Sequence, residues 1–419
     1  MIRRLSFSTR FFYFVLLWCV FSFKLLVGGV GEAGLRMDDL LLAIVCALLV
    51  LRGNIVKIPR SPAFRAYLIF VTISLCSAVW NALAGRVGFI YSMLFVARLL
   101  EYMIFYYLGY ILQENGIRVW RGLQVYFYVL CVVVPLQMLH LLPTASQFDV
   151  SRASGNTNGP YELAAVAAFF FCYFGYRKAK KMRAAGSIVL LLSTASRITT
   201  VGTVIEFVSR YFSRSRSKVK AVTVILLALL IVATGIAWIS SGQSGDGDVD
   251  TLGSRLGRAS TLFSADYGSL YANIPIYATS ADYIDGTFAD ATESANASES
   301  DASGMIRAFR WSALIKSSLA HYDSILIGMG PSFGSAAVDG YYVRVFIETG
   351  IAGLLAFFLF LRALLKPRGE QSASFREFAV ILILTACFID IFASYKTMLL
   401  LWLWNGMNEA EWRSKRKCA

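Results

Sequence analysis

The sequence predicts an all-α polytopic membrane protein with about twelve transmembrane or half-spanning helices and a large extracytoplasmic loop before the last three. Three observations carry this prediction. The 419 residues are 57% hydrophobic and only 16% charged, with a mean hydropathy of +0.60. Many apolar runs approach the length of about 20 residues that a spanning helix needs, and they are continuous rather than alternating, unlike the strands of an outer-membrane barrel. The net charge of +14 is concentrated in short segments between the runs, where basic residues set topology and touch anionic lipid; it does not imply nucleic acid as a partner.

Taken in order, the runs place spans at 11–28, 38–51, 64–84, 89–112, 122–142, 161–176 and 220–240, then at 344–365, 376–392 and 394–408. The first run follows Arg3, Arg4 and Arg10 and lacks the short core and small-residue cleavage site of a signal peptide, so it is read as a retained helix. The segment 184–209 is flanked by Arg177, Lys178, Lys180, Lys181 and Arg183 before it and by Arg210, Arg214, Arg216, Lys218 and Lys220 after it. Basic flanks mark the cytoplasmic side, so the chain is expected to enter and return here as two short helices turning at Ser196-Arg197; one tilted span is the alternative. With the hairpin, both termini are cytoplasmic. The chain then divides into N-terminal helices (1–240), an extracytoplasmic loop (241–343) and C-terminal helices with a basic tail (344–419).

The loop changes character along its length. Residues 289–304, ADATESANASESDASG, are poor in bulky apolar groups and read either as a solvated linker or as a lid over substrate. From about 305 to 320 the apolar residues fall at helical spacing, with Arg307 and Arg310 three apart beside Trp311, as in an amphipathic helix on a membrane surface. Six of the seven cysteines lie in apolar runs and the only histidines are His140 and His321, so neither a disulfide framework nor a metal site is expected, and no cofactor.

The most informative stretch is Gly328 to Leu355, where the loop becomes an apolar helix carrying Asp339, Arg344 and Glu348 at its start. A charge in a bilayer costs roughly 2.5 kcal/mol or more unless it faces a cavity or a partner. The predicted topology collects Arg152, Arg197, Arg307, Arg310, Asp339, Tyr341, Tyr342, Arg344 and Glu348 on the same side, with Asp390 and Lys396 flanking the last turn. Arginine forks match phosphate, whereas carboxylates and tyrosines suit sugar hydroxyls. Such a set fits glycosyl transfer from a lipid-linked phosphate, with a carboxylate taking the acceptor proton and arginines stabilising the leaving phosphate. Each member also has a plain reading: Asp339 as a helix cap, Arg344 as an interfacial anchor.

At these residues the chain resembles the O-antigen polymerase and ligase superfamily of bacterial envelope glycan assembly, which includes the Wzy-type polymerases. The likeness rests on an ordered series: RASGNTNGP at 152–160, LLLSTASR ending at Arg197, RAFRW at 307–311, GMG at 328–330 and DGYYVRVFIETGIAGLL at 339–355. The resemblance implies a multi-pass protein of the bacterial inner membrane and a metal-independent, inverting C-type glycosyltransferase. Its substrate would be an oligosaccharide on undecaprenyl pyrophosphate, with membrane lipids as surroundings and a chain-length regulator as a candidate partner. Within the set, Arg197, Arg344, Asp339 and Glu348 are read as catalytic, with either Asp339 or Glu348 as the base, and Arg152, Arg307, Arg310, Tyr341 and Tyr342 as substrate-binding. The ligases carry a catalytic histidine where this chain has Asp339, which favours a polymerase. A ligase and, in a different class, a membrane transporter stay as alternatives.

Overall fold

The computed structural model describes residues 7–22, 26–28, 35–144, 152–175, 181–214, 267–286, 302–334 and 338–418. The span expected at 220–240 and the acidic stretch up to residue 301 lie outside them. The described residues form helices, with one minor departure from an all-helical chain: Leu26–Gly28 pairs antiparallel with Leu35–Arg36. The helices are α1 (Phe7–Phe21), α2 (Met37–Leu51), α3 (Asn54–Lys57), α4 (Pro62–Leu83), α5 (Phe89–Glu114), α6 (Val119–Met138), α7 (Pro160–Gly175), α8 (Lys181–Ser193) and α9 (Arg197–Arg214). Then come α10 (Tyr267–Asn273), α11 (Ala302–Leu319), α12 (Tyr322–Ile327), α13 (Tyr341–Leu364), α14 (Ser372–Thr385) and α15 (Tyr395–Cys418).

Among the described residues, four helices are long and apolar enough to cross a membrane: α4, α5, α6 and α13. At about 1.5 Å per residue each reaches roughly 30 Å or more, the thickness of a hydrocarbon layer. Helices α1 and α7 are apolar but shorter. The outer faces of the long helices expose Ile69, Val79, Ile90, Val132, Phe358 and Leu359. Large side chains exposed in such numbers mark a surface that meets something apolar.

The centre of the bundle is α15 lying along α5, with α13 against α4. Close approach of the first pair depends on two glycines. A Cβ on Gly109 would overlap the Leu403 carbonyl, and one on Gly406 would overlap the Tyr106 carbonyl. Trp402 fills the core between them, stacked on Phe360 at 5.7 Å and edge-on to Tyr67 at 5.0 Å.

Two helix ends differ from the expected spans for identifiable reasons. Helix α1 stops at Phe21 rather than running to 28. The ammonium of Lys396 donates to the carbonyls of Val20 (3.0 Å) and Ser22 (2.9 Å), and the Asn156 amide donates to that of Phe21 (2.9 Å). These donors satisfy carbonyls that a longer helix would have used itself. Helix α14 stops at Thr385 rather than continuing to 392, because Ala386 turns its carbonyl to the Tyr341 amide (2.9 Å) and Ile383 accepts from the Tyr342 hydroxyl (3.0 Å). In 184–209, α8 packs on α6 and α7 while α9 packs on α7 and α14, joined by a turn in which Ala195 has φ +48°.

Candidate functional site

The site forms where α13 begins, and it is organised by a break in that helix. Gly350 has φ +65° and ψ −165°, so the helix of 341–349 stops and restarts. The interruption leaves the carbonyls of Ile347 and Glu348 without helical donors. The amides of Met329 (2.7 Å) and Gly330 (3.2 Å) replace them, and the Ser77 hydroxyl donates to the Glu348 carbonyl at 2.7 Å. Asn81 of α4 donates to the Gly328 carbonyl at 3.0 Å. Irregular backbone of this kind persists within a helical bundle only when protein groups satisfy it. The GMG segment is therefore the splint of the break. Gly328 (φ +82°) has no space for a Cβ, which would overlap the backbone of Glu348, and one on Gly350 would overlap that of Leu326.

Beside the break lies a buried cluster of three charges. The Arg344 guanidinium pairs with Glu348 one turn along (3.0 Å) and with Asp390 (3.0 Å). The three side chains are 4%, 11% and 13% exposed. Arg344 also lies over the Phe95 ring, 5.9 Å from its centroid. The Asp390 carboxylate does more than balance charge: it accepts from the backbone amides of Val338 (3.0 Å), Asp339 (3.2 Å) and Gly340 (3.4 Å). Trp311 of α11 donates its indole N–H to the Val338 carbonyl at 2.9 Å. The short segment 338–340 is thus clamped from two sides, and its one charged side chain, Asp339, is displayed outward.

Asp339 is 38% exposed and faces Arg307 of α11, 25% exposed, at 3.5 Å. Burial pushes its carboxyl above the ordinary value, Arg307 opposes that shift, and Asp390, Arg310 and Arg344 act more weakly. Tyr161, at the start of α7, lies within Coulombic reach of Asp339, Asp390 and Arg152. Arg152 in turn donates from Nε to the Thr194 carbonyl at 3.0 Å, at the turn between α8 and α9. Its own segment is fixed by Gln137, which bonds both the amide (2.8 Å) and the carbonyl (2.9 Å) of Gly155. Arg197 follows that turn and is exposed.

The residues singled out from sequence therefore fall into groups. Arg307, Arg310, Asp339, Arg344 and Glu348 meet at one place, with Arg152 beside them across Tyr161 and Arg197 on the turn that Arg152 holds. Arg344 is committed to two carboxylates, so it acts on its surroundings by holding Asp390 and Glu348. Tyr341 is buried among Phe357 and Phe392, at 5.2 and 5.5 Å, and Tyr342 spends its hydroxyl on Ile383. Asp390 is the hub to which sequence reasoning gave no role: it lies 46 residues from Arg344, in an otherwise apolar stretch. The pairing of Arg86 with Asp323 was not read from the sequence. They pair at 2.7 Å and tie the α4–α5 connection to α12. Hydrogen bonding to Arg86, reinforced by the Trp80 indole, holds the Asp323 carboxyl down at about 2.

Among the described residues, no group of three or more His, Cys, Asp or Glu side chains is placed to hold a metal ion. Comparison with known protein families finds no family model that matches the chain, and no curated protein matches it.

Proposed function

We propose that this chain is a membrane-embedded glycosyltransferase that elongates a glycan carried on a polyprenyl pyrophosphate, in the manner of the O-antigen polymerases it resembles. The observation that carries the reading is the display of Asp339, on a segment clamped by Asp390 and Trp311, among the arginines Arg307, Arg310 and Arg152.

Asp339 is the base. Its carboxylate takes the proton from the acceptor hydroxyl as that oxygen forms a bond to the anomeric carbon of the donor glycan. The bond from this carbon to the pyrophosphate oxygen breaks, its electron pair leaves with the pyrophosphate, and the anomeric configuration inverts. Charge grows on the leaving group as the bond stretches, so arginine donors stabilise the transition state more than the ground state. Arg307 and Arg310 supply those donors, with Arg152 across Tyr161. A carboxyl raised by burial is a stronger base than one in water, which suits proton abstraction near neutrality. Arg344, Glu348 and Asp390 are positioning residues that fix the segment carrying Asp339. The bacterial inner membrane, with the site facing away from the cytoplasm and both termini inside, is the setting that the basic segments suggest.

The test is complementation of a deletion strain with variants of this chain, reading the length of the surface glycan. Arg307→Ala with Arg310→Ala should give single repeat units where the unaltered chain gives a ladder. Long polymer held on the lipid carrier, but not passed to a final acceptor, would instead indicate a ligase. Wild-type ladders from the double variant would refute the assignment of these arginines.

A further inference from the structure

At the end of the bundle opposite the Arg344 cluster, a cavity of about 1070 Å³ opens between α1, the α2–α4 connection, the end of α5 and the end of α15. Six cationic residues line it: Arg52, Lys57, Arg368, Arg413, Arg416 and Lys417. The acidic side chain lining it is Glu114. Arg413 is balanced by Glu409 at 2.7 Å. Among the described residues, Arg52, Arg368, Arg416 and Lys417 have no carboxylate at ion-pair distance.

The arrangement of these cations is organised rather than diffuse. Trp412 stands in the wall with three guanidinium groups around its ring, those of Arg368, Arg416 and Arg413 at 4.5, 4.8 and 5.7 Å from the centroid. The ring holds each guanidinium by cation–π attraction while leaving its N–H edges available. Gathering six cations this way costs repulsion that two carboxylates, Glu114 in the lining and Glu409 beside Arg413, do not offset. A multivalent anion in the cavity would reverse that cost, and arginine forks match phosphate oxygens two at a time. Basic pockets between transmembrane helices are also where multiply charged lipid headgroups bind.

We propose that this cavity is a binding site for a phosphate-bearing anion with two or more negative charges. Its source is either an anionic membrane lipid or a soluble diphosphate. The site is separate from the Asp339 cluster and does not depend on the glycan reading.

The full chain, purified in neutral detergent, is titrated with inorganic pyrophosphate by calorimetry, and separately exposed to cardiolipin and examined by native mass spectrometry. Saturable one-to-one binding of at least one probe is expected. Arg368→Glu with Arg416→Glu should weaken it by about tenfold or more, as loss of two charge-assisted contacts implies, and added salt should weaken it too. If charge reversal prevents folding, Arg368→Gln with Arg416→Gln serves, with the same direction expected. Arg121→Glu, at the same end but outside the cavity, should leave binding unchanged. Pyrophosphate binding assigns a soluble ligand; cardiolipin retention without it assigns a headgroup. Failure of both probes to saturate, or binding untouched by the cavity variants, would overturn the proposal. Pyrophosphate binding removed by Arg307→Ala but not by Arg368 and Arg416 substitution would overturn it equally.

Discussion

Replacing Arg344 with methionine is the most informative single perturbation of the candidate site. The side chain is 4% exposed and bonded to Glu348 and Asp390 at 3.0 Å each. Methionine keeps most of the volume and removes the charge, leaving two carboxylates side by side without their cation. Breaking a buried ion pair by deleting one partner costs about 3–5 kcal/mol, chiefly from the charge left behind. The companion variant, Arg344→Met with Glu348→Met, removes one stranded carboxylate as well. Asp390 keeps three backbone donors, from Val338, Asp339 and Gly340, so its charge remains served. Replacing both members of a buried pair with apolar groups is often close to neutral, so the double variant should recover about 2 kcal/mol or more of the single loss. Thermal unfolding in detergent measures both. A double variant no more stable than Arg344→Met would refute the view that stranded charge dominates the cost.

Three further outcomes follow from the same geometry. The acid limb of transferase activity should lie above the range of an ordinary carboxylate, because burial raises Asp339; Arg307→Ala removes an opposing influence and should move the limb to still higher pH, as read from initial rates in membranes. The Arg86–Asp323 tie should be fully present above pH about 4 and lost as pH falls through about 2, because the folded carboxyl is depressed below its free value. The difference in melting temperature between the wild type and Asp323→Asn should therefore be constant above that window and vanish below it. Gly350→Ala should lower the melting temperature and abolish elongation, since it combines a positive φ worth about 1–3 kcal/mol of strain with overlap onto the backbone of Leu326; an unchanged melting curve would contradict the described break in α13.

Much of the site could be read from the chain because charge within an apolar run is costly and therefore conspicuous. Asp339, Arg344 and Glu348 stood out for that reason, and RAFRW placed Arg307 and Arg310 on one helical face. What was not legible depended on partners distant in sequence. Nothing near Asp390 indicates that it would reach back to three amides at 338–340, or that it would share Arg344 with Glu348. A free phosphate-gripping role for Arg344 looked natural only while those partners were unseen. Arg197, expected at the turn between two short helices, is exposed at the start of the second, and it is Arg152 that reaches into the turn to hold the Thr194 carbonyl. Tyr341 is in the aromatic core, a distinction that residue type cannot make at a membrane boundary. Helix ends were the least legible feature of the fold. Hydropathy reports where a helix is tolerated, whereas Lys396 and Asn156 decide that α1 stops at Phe21. Of the twelve or so expected segments, the described residues include four long apolar helices and two shorter ones.

The central claim is that Asp339, presented by its clamp beside Arg307, accepts a proton during transfer of a glycan from a polyprenyl pyrophosphate. Reconstitution into liposomes with a lipid-pyrophosphate-linked repeat unit, followed by gel analysis of product length, tests it most directly. The unaltered chain should give a ladder and Asp339→Asn single units, with equal melting temperatures for the two proteins. A full ladder from Asp339→Asn, or no elongation by the folded unaltered chain across several such substrates, would contradict it.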